Sequence, residues 1–262
     1  MQKERLKVLD RDAMKYLAIG LMFVGHLISW IVLLNHPDDT LAVYRLPLWA
    51  LLLEEAALFC PPVMFFFIAD GYKYTRDRKK YALRLLIFAG ITQLFNWFVF
   101  LEKDGWRSFN VIFTLLLGLL SIMAWESKLK LWQKIGLVIL CDAATVLLFS
   151  EWMLFGVLFI LMLHIFRDKP KPRFLVYMLL TLLHTGICTV ALIGDVPPLT
   201  TVVVFLSELF VMTAAYLCMT VFYNGKKGKH PVFAKWFFYA FYPAHYMIIY
   251  VVKLCMDKVP LS

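Results

Sequence analysis

Long apolar runs, repeated along almost the whole chain, constrain this sequence more than any other feature. About 20 apolar residues wound into an α-helix cross the hydrocarbon core of a bilayer. In hydrocarbon every backbone N–H and C=O must be satisfied within the segment, so a run of this kind spans as a helix. Nine segments fit: 13–34, 52–72, 81–101, 109–126, 132–149, 151–166, 174–193, 199–223 and 233–255. The fifth and sixth are joined by little more than Ser150-Glu151, which predicts a tight turn. The stretch 46–53 is apolar but too short to span, and reads as an extracytoplasmic or re-entrant helix before the second span. The expected fold is all-α, a polytopic transmembrane bundle forming one domain over 1–262.

Composition agrees. Apolar residues make up 62% of the chain, against about half in soluble domains, and the excess must face lipid. The first span is too long for a cleavable signal peptide, carries His26 at its middle and lacks a small-residue cleavage site. Cys60, Cys141, Cys188, Cys218 and Cys255 all lie in or beside apolar runs without metal-ligand spacing, so neither a disulfide nor a zinc site is expected.

The net charge of +9 is read by position, not as a sign of nucleic-acid binding. Alternate connections, 1–15, 73–84, 126–134, 167–173 and 224–235, hold 22 of the 27 Lys and Arg. Arg45, Lys103, Arg107, Lys253 and Lys258 make up the other side. Cytoplasmic loops carry the basic excess, which puts the N-terminus inside and the C-terminus outside.

Ionisable groups within spans are costly and usually face the protein interior. Lys15 and His26 are eleven residues apart, so they share a helix face roughly 16 Å apart along the axis. Arg11 lies a turn further out on that stripe. The plainer reading is a snorkelling lysine and an unrelated packed histidine. Asp70 ends the second span beside Gly71, followed by Arg76, Arg78, Lys79, Lys80 and Arg84. That run is either a topological stop signal or a phosphate-binding surface. Gln93, Asn96, Asn110, Thr114, Asp142, Glu151, His164, His184, Glu208 and His245 are further buried candidates. His164 reads as interfacial, His184 as mid-span, and Glu54 and Glu55 as solvated near an outer end. His245 follows Pro243, which removes a backbone donor and predicts a kink. No phosphate-binding glycine loop, HExxH motif or internal repeat is present.

Taken in order, these segments resemble the TraX family, whose named member is a conjugation protein associated with N-acetylation of pilin. The resemblance runs from Leu9–Ala18 and His26 through Phe66–Arg76, Arg78–Phe88, Phe109–Gly118 and Phe155–Leu158 to Lys235–His245. The chain is also similar in motif to wider membrane acyltransferases. Lys15 and His26 match their basic residue and histidine, and Phe66, Phe67 and Gly71 match their FFxxxG stretch. It departs in two places: Asp70 stands where those relatives often have Ser, and Gly25 where TraX-like chains often have Asp. The second departure removes a carboxylate partner for His26, a role Asp70 would then fill.

The resemblance implies acyl transfer from acetyl-CoA, without a metal, in a bacterial inner membrane. Arg76, Arg78, Lys79, Lys80 and Arg84, with Arg11 and Lys15, would meet the donor's phosphates. His26 would be the general base, with direct transfer or an acyl-enzyme both open. Asn110 or Tyr72 would donate to the oxyanion, and His245 would orient the acceptor or line its entrance. The acceptor is open among a glycan, a lipid, a peptide N-terminus and a small molecule. Two other classes remain: a proton-coupled transporter or flippase relaying through His26, His184 and His245, and a non-catalytic membrane scaffold.

Overall fold

Each predicted span coincides with a helix in the computed structural model, which describes residues 6–36, 38–100 and 108–257. In chain order these are α1 (Arg11–Asn35), α2 (Leu48–Glu55), α3 (Cys60–Tyr74), α4 (Arg78–Val99), α5 (Val111–Trp125), α6 (Leu131–Leu147), α7 (Phe155–Ile165), α8 (Pro170–Val190), α9 (Pro198–Leu217) and α10 (Pro231–Asp257). Short 3₁₀ turns occupy Ala42–Arg45 and Ala56–Phe59, and a π turn, Cys218–Phe222, ends α9. No strand occurs among the described residues. Among the described residues five stretches are long and apolar enough to cross a membrane: Arg11–Asn35, Leu48–Tyr74, Arg78–Val99, Pro170–Val190 and Pro198–Phe222. Val111–Trp125 and Phe155–Ile165 are apolar but shorter. Of the basic residues counted for orientation, Lys3, Arg5, Lys103, Arg107 and Lys258 lie outside the described residues.

The structure revises two local expectations. Residues 46–53 are not a separate re-entrant element. From Leu48 the chain runs helically through α2 and the Ala56–Phe59 turn into α3, making one long apolar stretch to Tyr74. Pro61 and Pro62 fall in the first turn of α3, where no N–H is required of them. The turn after α6 is longer than Ser150-Glu151, because Phe149, Trp152 and Leu154 adopt φ of 46°, 63° and 66°. Non-glycine residues in that region cannot continue a right-handed helix, so α7 starts at Phe155 rather than 151.

The chain forms two compact units, Met1–Val63 with Leu182–Ser262, and Met64–Thr181. In the first, α1 buries Met14, Ala18, Met22, Gly25 and Ser29, a stripe at helical spacing. It packs on α2, the Ala56–Phe59 turn and α10. Gly25 permits the closest approach: a Cβ there would lie 2.6 Å from Ala57 Cβ and 2.8 Å from the Glu54 carbonyl. Asp10 caps α1, its Oδ1 accepting from the N–H groups of Asp12 and Ala13.

In the second unit, α5 packs on α4, α6 and α7. Gly156 faces Thr114, whose hydroxyl bonds Ser150 Oγ at 2.6 Å and also donates to the Glu151 carbonyl. This clasp holds the strained turn against α5. Phe65, Trp152, Phe159 and Tyr177 form an aromatic core beside it.

Candidate functional site

Helices α1 and α10 meet along a seam of rings. Phe233, Phe237, Phe241 and His245 recur every four residues on α10, and each stacks on the next. From α1, Tyr16 faces Phe237 and Phe238, Phe23 faces Phe241, and His26 and Trp30 face His245. The seam thus ends on two histidines held among aromatic rings. Trp30 stacks on His26 with centroids 4.2 Å apart and rings inclined by 20°.

His26 Nδ1 lies 3.3 Å from His245 Nε2. His245 is fully buried, and its Nδ1 bonds the Tyr242 carbonyl. A carbonyl only accepts, so Nδ1 of His245 carries a proton. With His245 neutral, as the cost of burying charge favours, its Nε2 offers a lone pair. The Nδ1–H of His26 donates into that lone pair. The proton of a neutral His26 is then on Nδ1, and Nε2 is its basic nitrogen. His26 is half-buried, and among the described residues no hydrogen bond engages its Nε2. The arrangement makes Nε2 the basic nitrogen of His26, with the ring aligned by a second imidazole.

This pairing answers the question that Gly25 raises. A carboxylate-bearing side chain at that position would collide with Ala57 Cβ and the Glu54 carbonyl, and the nitrogen that meets His26 comes from α10 instead. Asp70 is half-buried on α3 in the second unit. Helix α10 runs on through Pro243 from Pro231 to Asp257, so the proline interrupts one backbone bond without ending the helix.

The remaining site residues fall into three groups. At the first turns of α1, Arg11 places Nε and Nη2 on Asp12 Oδ1, each at 2.8 Å, and Lys15 lies 5.3 Å over the Phe238 ring. In the second unit, Arg78 covers the ring of buried Tyr72 at 4.1 Å, and Lys80 pairs with Asp77 at 3.4 Å. Arg84 lies near the Tyr81 ring, and Arg76 and Lys79 are exposed. Gly71 faces the Tyr81 hydroxyl. Asp77 caps α4 by accepting from Lys80 N at 2.9 Å, which together with the Lys80 charge lowers its carboxyl pKa from the ordinary value.

Asn110 does not have a spare donor for an oxyanion. Its two amide protons go to the Ala89 carbonyl and Gln93 Oε1, at 3.0 and 2.9 Å, while its Oδ1 caps α5 through Ile112 N. It is a structural bracket between α4 and α5, because both its donors are spent before any ligand arrives.

Two pairings were invisible in the linear sequence. His164, which reads as a plain interfacial residue, bonds Glu126 Oε1 at 2.8 Å and meets Tyr72 edge-on. In the first unit, His184 Nδ1 is 3.9 Å from Glu208 Oε2 and its Nε2 is 3.8 Å from Cys188 Sγ. Glu54, Glu55 and Tyr44 are within electrostatic range of Glu208. Glu55 is 3% exposed, not solvated as its place near a span end suggests. The aromatic spacing at 233, 237 and 241 was the one available signal for the seam, pointing a face of α10 at His245. Among the described residues no group of three or more His, Cys, Asp or Glu is placed to hold a metal.

Comparison with known proteins supplies a lineage. A family model described as "TraX protein" matches residues 10–253. The chain is 30% identical over 207 residues to a "Probable fimbrial assembly protein FimC, serogroup H1" of Dichelobacter nodosus, covering 75% of this chain and 80% of that protein. No solved structure matches.

Proposed function

Because the chain belongs to the TraX family, we propose that it is a membrane-embedded acyltransferase, moving an acetyl group from acyl-CoA to a hydroxyl or amine. The observation that carries this reading is the His26–His245 pair, which leaves a single basic nitrogen at His26 Nε2. His26 Nε2 takes the proton of the acceptor O–H or N–H as the acceptor oxygen or nitrogen bonds to the thioester carbon. The C–S bond breaks, and the proton passes from His26 to the departing thiolate. The products are the acylated acceptor and CoA thiol, with His26 neutral again. His245 touches neither reactant. It is a positioning residue that holds the tautomer and angle of His26.

In this reading nine spans place the N-terminus in the cytoplasm and the C-terminus outside, within a bacterial inner membrane. The concentration of 22 of 27 basic residues on alternate connections supports that orientation. The relative's description as a fimbrial assembly protein favours an acceptor destined for a surface appendage.

The test is incubation of purified protein with labelled acetyl-CoA and host membrane fractions. Label is expected on an acceptor with the native protein and not with His26→Ala, which should retain its fold. Full transfer by a folded His26→Ala protein refutes the mechanism.

A proton-coupled transporter or flippase is favoured by one separate observation, half-buried His184 facing buried Glu208 near buried Glu55. Uptake into proteoliposomes that follows a pH gradient, without label transfer, would establish that reading.

A further inference from the structure

The connection from the π turn to α10 reads Tyr223-Asn224-Gly225-Lys226-Lys227-Gly228-Lys229-His230. It does not hang free. Leu9 N donates to the Phe222 carbonyl, Asn224 N to the Leu9 carbonyl, and Arg11 N to the Lys226 carbonyl, each at 2.9 Å. Three backbone bonds therefore fasten it to the segment that opens α1. Inside the loop, Asn224 Oδ1 accepts from Lys226 N at 2.8 Å, and Gly225 adopts φ +75°, a conformation open to glycine. Gly228 is pressed on Asp12: a Cβ there would lie 2.6 Å from Oδ2 and 2.7 Å from Cβ of that aspartate. Asp12, 5% exposed, in turn holds the Arg11 guanidinium.

The outcome is a shaped basic surface. Lys226, Lys227 and Lys229 are exposed, and none forms an ion pair among the described residues. Arg78 and Lys80 of the second unit, by contrast, are already engaged with Tyr72 and Asp77. Three exposed lysines within four residues, on a backbone fastened to the start of α1, suit phosphate oxygens. Its position matters as much as its charge. The loop leads directly into α10, and its backbone is bonded to the start of α1. It therefore stands at one end of the ring seam whose other end is His26 and His245.

We infer that residues 224–230 form a phosphate dock that receives the nucleotide end of the CoA donor, so that the thioester arm lies along the α1–α10 seam toward His26. This rests on the acyl-transfer reading for the identity of the donor, and is independent of the basic run at 76–84. Phospholipid headgroups share the same chemistry, and the experiment separates the two sources.

Binding of CoA and of pantetheine, which lacks phosphate, is measured by calorimetry on the full chain in phosphatidylcholine nanodiscs. The variants are Lys226→Glu/Lys227→Glu/Lys229→Glu and the milder Lys→Gln triple, at exposed positions where folding is undisturbed. Charge reversal is expected to raise the Kd for CoA roughly 10- to 100-fold, the sum expected of three surface charges. The Gln triple should show a smaller rise, and pantetheine binding should not change. Gly228→Ala, which moves the loop off Asp12 and keeps every lysine, should also weaken CoA. Equal CoA affinity in the native and triple-variant proteins overturns the dock. It does so even if binding to phosphatidylglycerol vesicles falls, since the loop then serves lipid. Absence of CoA binding by the native protein overturns it as well. CoA held through the loop without any acetyl transfer leaves the dock standing and removes the acyl-transfer reading instead.

Discussion

Replacing His245 by Phe removes the bond on which the catalytic reading turns. The new ring keeps its place among Trp30, Phe241 and Tyr246, whose centroids lie 5.2, 6.0 and 4.6 Å from the imidazole. What disappears is Nε2, the acceptor 3.3 Å from His26 Nδ1, together with the Nδ1–H that bonds the Tyr242 carbonyl on the same helix. An N–H left without a partner in a buried setting costs about 1–3 kcal/mol. If that cost falls on the geometry of the reacting base, the rate of acetyl transfer drops about 5- to 150-fold. His26→Ala removes the base itself and should cost about 10²- to 10⁴-fold. His245 acts only through His26, so the double variant should be no slower than His26→Ala alone. The assay is the initial rate of label transfer from acetyl-CoA by the four purified proteins, with thermal unfolding as a control for fold. Two results refute the reasoning: full activity in His245→Phe, or single effects that multiply in the double variant.

Further outcomes follow from the packing. Gly25→Ala should destabilise the protein by about 1–3 kcal/mol, since the added methyl meets Ala57 Cβ and the Glu54 carbonyl, neither of which can rotate away; a Tm equal to the native value contradicts this. Asn110→Ala loses the α5 cap and the two amide donations to Gln93 Oε1 and the Ala89 carbonyl, for a loss of about 2 kcal/mol in denaturation. Asp77 binds its proton more weakly folded than unfolded, so its contribution is complete above the unfolded pKa and fades as pH falls through the lower folded value. Asp77→Asn should cap α4 without that acid dependence, visible as a smaller change in Tm across the acidic range.

Much of the architecture was legible in sequence because its causes are local. An apolar run of span length must become a helix in a bilayer, whatever its neighbours do. Helices therefore appear at all nine expected places. The shared stripe of Arg11, Lys15 and His26 likewise follows from helical periodicity alone. Local information failed where backbone conformation is unusual: Phe149, Trp152 and Leu154 carry no glycine or proline signal for their positive φ. It failed more deeply wherever a function depends on partners. His26 and His245 are 219 residues apart, and only the packing of α1 on α10 aligns their nitrogens. The same holds for Gly25, whose missing side chain has meaning only against Ala57 and the Glu54 carbonyl, and for Asn110, whose donors are consumed by α4. Hydropathy and periodicity say what one segment will do in lipid. Which polar atoms then meet is decided by close packing between segments remote in the chain, since a hydrogen bond tolerates errors of only a few tenths of an ångström.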